Sequence, residues 1–233
     1  MAGNMNGGSS YFKGLTKRDY IKKTQEIILS EGREAASIRR IAKEMGCSSA
    51  SLYRYFDNQA ELIYYAELNQ LSGYIKRLNE AEKNWKNIWE RYVGIWDCYC
   101  REAFRNPDVY DLLFLKSENT KLNASITEYY EMFPEAVGET NEFFMAMLRQ
   151  KDFMARDFEI CKKCMAEGAL TPENAPRLNR LACLLYEGYF KEVVDKGISE
   201  EEVDARVDQY IEDLDWIVMH LATDLKGYKG YGK

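Results

Sequence analysis

Cationic, aromatic and small hydroxyl side chains are concentrated in residues 37–62, which read SIRRIAKEMGCSSASLYRYFDNQAEL. Arginine and lysine bind phosphate groups, serine hydroxyls form hydrogen bonds at base edges, and tyrosine hydroxyls reach phosphate oxygens. The stretch therefore has the residue types that a nucleic-acid interface uses. A packed three-helix core with solvated arginines is the alternative interpretation.

The same stretch has the spacing of a helix-turn-helix motif. Ser37 is placed to cap one short helix, Gly46 allows a tight turn, and Ser48 is placed to cap the next helix. In such a motif the N-terminal half of the second helix enters the major groove. Small residues allow the backbone to approach the bases there, and we expect this role for Ser48, Ser49, Ala50 and Ser51.

Larger side chains around that helix are expected to contact the DNA backbone. Leu52 and Phe56 are four residues apart and face the core, which leaves Tyr53 and Tyr55 directed outward toward phosphates. On the preceding helix, Arg39 and Arg40 are expected near the backbone or a guanine edge.

Charge is distributed unevenly along the 233 residues. The formal net charge is −6, yet residues 13–54 hold ten basic and five acidic residues, and the remainder carries −11. A small basic module on an acidic body indicates a localised anionic partner and excludes indiscriminate polyanion binding.

Targeting signals are not evident in the sequence. No run of about 18 apolar residues exists, and the first 14 residues have no apolar signal region. We therefore expect no membrane partner and a cytoplasmic location, where the six cysteines would be reduced.

Helical periodicity dominates the chain, which predicts an all-α fold. The predicted domains are a disordered arm over 1–12, a helix-turn-helix domain over 13–60, a larger helical ligand-binding and dimerisation domain over 61–226, and a flexible tail over 227–233. Among the helices, we predict one from Thr16 to about Ser30, one from 57 or 58 to about 79, and a single one over 141–168.

Most aromatic residues lie in the acidic body. An apolar or aromatic ligand pocket is one interpretation, and ordinary core packing is the other. The residues predicted to line such a pocket are Trp89, Tyr92, Trp96, Tyr129 and Phe153.

Cysteine spacing suggests a metal or redox site only weakly. Cys161 and Cys164 share a helix face, but Cys98 and Cys100 would point about 200° apart on a helix. The chain has one histidine, His220. We therefore expect buried, uncharged thiols and neither a metal nor a cofactor.

Two apolar stripes near the C-terminus predict a homodimer built from two helices of each subunit. One stripe comprises Leu178, Leu181, Leu184, Leu185 and Tyr189, and the other runs along residues 203–221. Burial of both stripes within one subunit is the alternative.

Taken as an ordered set, residues 17–62 resemble the N-terminal domain of TetR/AcrR-type transcriptional regulators. The matching positions are Gly32, Ala36, Ser37, Ile38, Arg39, Ile41, Ala42, Gly46, Ser48, Leu52, Tyr53, Arg54, Tyr55, Phe56, Glu61 and Leu62. The resemblance implies an all-helical homodimer with a divergent, inducer-binding C-terminal domain. It also implies DNA contacts by Ser37, Arg39, Ser49, Ser51, Tyr53 and Tyr55.

This chain departs from the family at two positions that often carry lysine, here Ser49 and Gln59. Losing two cations weakens the electrostatic part of DNA binding. Lys17 and its neighbours Lys13 and Arg18 are placed to compensate near the phosphates.

The sequence thus predicts a ligand-responsive repressor that is released from a palindromic operator by a small, largely apolar or aromatic inducer. No Gly-rich phosphate loop, HExxH or GxSxG motif is present, so we expect no enzyme. The alternative is a helical dimeric protein-interaction module whose DNA binding is weakened or lost.

Overall fold

A computed structural model describes residues 14–115, 120–150 and 152–232, and within these ranges it contains helices and no strand. The all-α prediction is confirmed. None of the helices in the described part of the chain has both the length and the apolarity needed to cross a bilayer. The predicted arm over 1–12, together with Lys13, lies outside the described residues.

Two compact units divide between Asn69 and Gln70, later in the chain than the boundary expected after residue 60. The N-terminal unit contains four α-helices, which are α1 (Lys17–Glu31), α2 (Ile38–Glu44), α3 (Ser49–Leu52) and α4 (Gln59–Glu67). Thr16 caps α1, and Asp19 bonds back to the Thr16 backbone, as the sequence predicts. Gly32 ends that helix with a φ of 86°.

The core of the N-terminal unit is formed by one apolar face from each helix. Its fully buried side chains include Ile21, Ile41, Leu52, Phe56 and Leu62. Burying these residues leaves the opposite faces of α2 and α3 in solvent, which is the arrangement that an amphipathic pattern dictates.

The C-terminal unit contains eight α-helices in its described residues. They are α5 (Leu71–Ala81), α6 (Ile88–Arg105), α7 (Pro107–Tyr110), α8 (Thr120–Met132), α9 (Glu142–Leu148), α10 (Phe153–Ala166), α11 (Ala175–Lys196) and α12 (Glu200–Leu221). Helix α6 is central, because α5, α10, α11 and α12 all pack against it. Helices α11 and α12 also pack against each other.

Two long helices predicted from the sequence are interrupted. The helix expected from 57 or 58 to about 79 contains a 3-10 segment at Leu68–Gln70 that separates α4 from α5. The helix expected over 141–168 is divided into α9 and α10, because the Asp152 carboxylate accepts a hydrogen bond from the Ala155 amide (2.7 Å) and starts a new helix.

The expectation of a flexible tail over 227–233 is wrong for its described residues. Tyr228 is buried and its hydroxyl donates to Oδ1 of Asp215, a buried carboxylate on α12. The Tyr231 amide donates to the other oxygen of the same carboxylate at 2.9 Å. A buried carboxylate needs donors, and this segment supplies them.

Candidate nucleic-acid interface and aromatic cavity

Residues 45–48 form the turn of the helix-turn-helix in the N-terminal unit. The Cys47 amide donates to the Ala42 carbonyl (2.9 Å), and Gly46 has a φ of 66°, which a residue with a side chain rarely adopts. Helix α3 follows, and its burial of Leu52 fixes which of its residues face solvent.

The solvent face of α2 and α3 carries unpaired cations. Arg39, Lys43 and Arg54 are exposed, and no ion pair involves any of them within the described ranges. Tyr53 is 57% exposed, an unusual setting for a large aromatic side chain. This face therefore combines mobile positive charge with a free phenol group.

The predicted serine and alanine positions lie at the start of α3. Ser48 and Ala50 are exposed, whereas Ser49 and Ser51 are half-buried. The Ser48 and Ser51 hydroxyl oxygens are 3.2 Å apart and share a hydrogen bond. Gln59, the first residue of α4, is exposed.

Arg40 has internal partners that the sequence did not suggest. Its Nη1 donates to Glu31 (2.8 Å) and its Nε donates to Glu44 (2.9 Å). Hydrogen bonds to these two carboxylates raise the Arg40 pKa further above its ordinary value. A guanidinium held in this way is poorly placed to bind phosphate as well, and we leave Arg40 out of the proposed interface.

Three other predicted DNA-binding residues also have internal contacts. The Ser37 hydroxyl caps α2 by accepting from the Arg40 amide (3.3 Å). The Tyr55 hydroxyl donates to the Leu15 carbonyl (3.2 Å). The Lys17 ammonium lies 3.9 Å from the centre of the Tyr65 ring. These contacts orient the side chains within the N-terminal unit, and only Tyr55 of the three is classed as exposed.

A cavity of about 350 Å³ lies between α5, α6, α9 and α10 of the C-terminal unit. This volume is at the lower end of the range for small-molecule pockets. Its lining residues are Tyr74, Ile95, Trp96, Tyr99, Met147, Phe153, Arg156, Asp157 and Ile160.

Of the five predicted ligand residues, Trp96 and Phe153 line this cavity. Trp89 and Tyr92 are buried elsewhere in the core, where the Trp89 indole donates to the Asp224 carbonyl (2.9 Å). Tyr129 is buried and stacks on Phe133, with ring centres 4.6 Å apart. The prediction is therefore wrong about the position of these three side chains relative to the cavity.

Two charged lining residues, Arg156 and Asp157, were missed in the sequence. Their signal was available, since both lie on the apolar stripe of α10 at helical spacing from Phe153 and Ile160. A charged pair at positions that periodicity assigns to the core is unusual and marks a site that needs explanation.

The Asp157 carboxylate is fully surrounded by donors. Oδ1 accepts from the Trp96 indole (2.8 Å), and Oδ2 accepts from Asn179 (2.9 Å), with longer contacts from Tyr92 (3.4 Å) and the Cys161 thiol (3.7 Å). Burial raises the Asp157 pKa to about 6, although the hydrogen bonds oppose this shift. Asp157 is thus a structural acceptor that ties α6, α10 and α11 together.

The cysteines do not form a metal site within the described ranges, where no group of three or more ligating side chains occurs. Cys98, Cys100, Cys161 and Cys164 are buried, and burial raises the pKa of each thiol. Protonated, buried thiols behave as small apolar side chains.

The fold and site define an all-helical protein with an N-terminal helix-turn-helix unit, and comparison with known proteins agrees. Residues 21–66 match the family model described as bacterial regulatory proteins, tetR family. An HTH-type transcriptional regulator of Staphylococcus aureus strain bovine RF122 / ET3-1 is 32% identical over 129 residues, which cover 55% of this chain and 65% of that protein. One from strain USA300 is 33% identical over 101 residues, covering 43% and 54%.

These matches span less than two thirds of either relative's length. A solved structure of a protein with unknown function from Rhodococcus sp. RHA1 has the same fold, with a TM-score of 0.54 and 16% identity over 92% of this chain and 100% of that one. Residues 21–66 therefore form a TetR-family helix-turn-helix domain, and the resemblance seen in the sequence is confirmed for this segment.

Proposed function

We propose that this protein is a homodimeric transcriptional regulator that binds a palindromic DNA operator and is released by a small ligand. The exposed face of α2 and α3 carries the proposal, because it combines Arg39, Lys43, Arg54 and Tyr53 on a TetR-family domain. Unpaired cations beside an exposed phenol suit a phosphate backbone.

In the proposed complex, the N-terminus of α3 enters the major groove. Ser48 and Ala50 are small and exposed, so the backbone there can approach the base edges closely. Arg39 and Tyr53 bind flanking phosphates, and Gln59 lies at the start of α4, where free amides favour another phosphate.

Dimerisation is proposed through an apolar surface on α11 and α12. Leu184 is 56% exposed and Trp216 is 62% exposed, with Leu181 and Met219 also exposed. The bond from the Tyr189 hydroxyl to Asp213 (2.7 Å) fixes the level of the two antiparallel helices, which brings Leu184 near Trp216 and Leu181 near Met219. The stripe along 203–221 that was predicted for the interface is instead largely buried within the chain.

A second copy of the chain would cover this surface and place two α3 helices for two half-sites. Leu184→Asp should convert a dimer to a monomer in light scattering, because the substitution puts a charge into an apolar interface. Leu29→Asp is the matched control, since Leu29 is 70% exposed on the N-terminal unit. A wild-type protein that is monomeric at micromolar concentration would refute the dimer.

Ligand release is proposed to act as a population shift. A ligand in the aromatic cavity would favour a dimer whose α3 helices are spaced wrongly for the operator. The cavity's lining by Trp96 and Phe153 supports an apolar or aromatic ligand body.

Selection of bound duplexes from a random DNA pool tests the function directly. We expect enrichment of a palindromic sequence with half-sites about one helical turn apart. Absence of any enrichment at low salt would instead favour the protein-interaction module, which Ser49 and Gln59 already suggest by lacking the lysines common in the family.

A further inference from the structure

Arg156 is a buried cation at the edge of the aromatic cavity. It lies in the first turn of α10, lines the cavity, and is 7% exposed. Charged side chains are almost never buried to this degree unless they are paired. The environment of this guanidinium therefore decides what the cavity can bind.

Few partners surround the Arg156 guanidinium. Its Nη2 donates one hydrogen bond to the Leu148 carbonyl (3.0 Å), and its central carbon lies 4.8 Å from the centre of the Phe114 ring. Across 14–115, 120–150 and 152–232, no carboxylate forms an ion pair with it. A guanidinium has five N–H donors, and one backbone acceptor leaves most of them unused.

The location makes this unpaired charge more costly. Helix N-termini carry partial positive charge, which favours anions, and Arg156 adds a cation in the first turn of α10. Burial of an unpaired cation is itself unfavourable. An anion bound beside Arg156 would relieve both effects.

Asp157, the neighbouring charged group, is not available to a ligand or to Arg156. Both of its oxygens are occupied by donors from Trp96 and Asn179 at 2.8 and 2.9 Å, with further contacts from Tyr92 and Cys161. A ligand amine would have to displace these donors. Of the two charged groups lining the cavity, Arg156 alone retains unused hydrogen-bonding capacity.

Apolar groups form most of the remaining wall, including Ile95, Trp96, Met147, Phe153 and Ile160. We propose that the cavity binds a small monocarboxylate with an aromatic or aliphatic body, whose carboxylate pairs with Arg156. A planar guanidinium matches a carboxylate with two parallel hydrogen bonds, and the apolar wall holds the body. The proposal rests on the proposed function only in taking this ligand as the inducer.

A purely structural role for Arg156 is the competing explanation. Its bond to Leu148 ties the end of α9 to the start of α10, and its contact with Phe114 adds packing. That role predicts a loss of stability when Arg156 is replaced, but it predicts no preference for charged over neutral ligands.

Binding of matched compounds separates the two roles. Phenylacetate, phenylacetamide and benzylamine, together with octanoate and octanamide, are titrated into the full chain by calorimetry and by tryptophan fluorescence. We expect at least one of the two acids to bind about tenfold or more tightly than its amide, because a charge-assisted hydrogen-bond pair is lost in the amide. The aromatic and aliphatic arms identify the body that the wall prefers.

Arg156→Met should reduce the acid's affinity to that of the amide, and Arg156→Lys should keep a weaker acid preference as a point charge. Arg149→Met is the matched control, because Arg149 is exposed just after α9 and should leave the preference unchanged. Thermal melting of each variant reports whether it is folded.

Three results would overturn the proposal, namely equal binding of acid and amide, tighter binding of benzylamine, or no binding by any compound. If Arg156→Met fails to fold, the comparison of acid and amide in the wild-type protein still decides the matter. Acid-selective binding by a protein that enriches no DNA would refute the regulator and keep the site, whereas operator binding without acid selectivity would refute only the site.

Discussion

The two units both place arginine beside aromatic rings, but they do so in opposite surroundings. Arg39 in the N-terminal unit is exposed, Arg156 in the C-terminal unit is buried, and neither has an ion pair within the described ranges. Water hydrates the first guanidinium fully, so its lack of a partner costs little. The second has no such substitute, and its lack of a partner demands an explanation.

Tyrosine shows the same contrast. Tyr53 is largely exposed beside Arg54, whereas Tyr186 is fully buried among the rings of Tyr99, Phe153 and Phe190. A buried aromatic cluster is explained by packing alone. An exposed tyrosine on a cationic face has no packing role to explain it, and this makes the N-terminal face the stronger functional signal.

The sharpest break within the N-terminal unit is expected between Phe56 and Tyr53, two aromatic residues one helical turn apart. Phe56→Ala should destabilise the unit by about 3–5 kcal/mol, because Phe56 is buried and its loss leaves a cavity. Tyr53→Ala should change its stability by less than about 0.5 kcal/mol. Hydrogen exchange of residues 14–69 measures both, and similar destabilisation by the two variants would contradict the assigned faces.

The buried Asp157 predicts a pH dependence in the C-terminal unit. Burial raises its pKa from 3.8 to about 6, so between these values the folded chain holds a proton that the unfolded chain has lost. The stabilising contribution is therefore present below about pH 4 and is lost as the pH rises through 6. The shift corresponds to up to about 3 kcal/mol.

Asp157→Asn removes this titration, so its stability relative to wild type should increase as the pH rises from 4 to 7 in urea unfolding. Asp204→Asn is a control of opposite sign. Slight burial raises the Asp204 pKa, but the guanidinium groups of Arg105 and Arg101 outweigh that effect and lower it. A constant difference between wild type and Asp157→Asn across this range would contradict the raised pKa.

Arg39→Ala tests whether the exposed arginine acts on DNA. We expect operator affinity to fall by about 1–3 kcal/mol, and if Arg39 binds a phosphate, the slope of log affinity against log salt should decrease by about one unit. Lys76→Ala is the matched control, since Lys76 is an exposed cation on α5 of the C-terminal unit. Equal losses in both variants would mean that only net charge matters.

Local chemistry made the N-terminal unit predictable from sequence. The Thr16 and Asp19 capping pair, Gly46 and the spacing of Leu52 and Phe56 all act over a few residues, and the structure confirms each one. The 3-10 segment at Leu68–Gln70 was missed, because neither proline nor glycine marks it.

The cavity was less predictable for a different reason. Periodicity identifies which rings are buried, but it does not identify which buried rings border a void between helices distant in sequence. Trp89 and Trp96 lie on the same helix with the same pattern, and only Trp96 lines the cavity. Arg156 was detectable in principle, as a charge on an apolar stripe, since that conflict needs no knowledge of tertiary structure.

The smallest expected effect concerns a single oxygen atom. Tyr53→Phe keeps the exposed ring and removes the hydroxyl, so stability should be unchanged while operator affinity falls by about 0.5–1.5 kcal/mol, the net value of one hydrogen bond. Tyr55→Phe is the informative partner, because the Tyr55 hydroxyl already donates to the Leu15 carbonyl at 3.2 Å. Its loss should affect the local fold more than DNA binding. If Tyr53→Phe binds the operator as tightly as wild type, the ring and not the hydroxyl contacts the DNA, and the phosphate role assigned to Tyr53 is wrong.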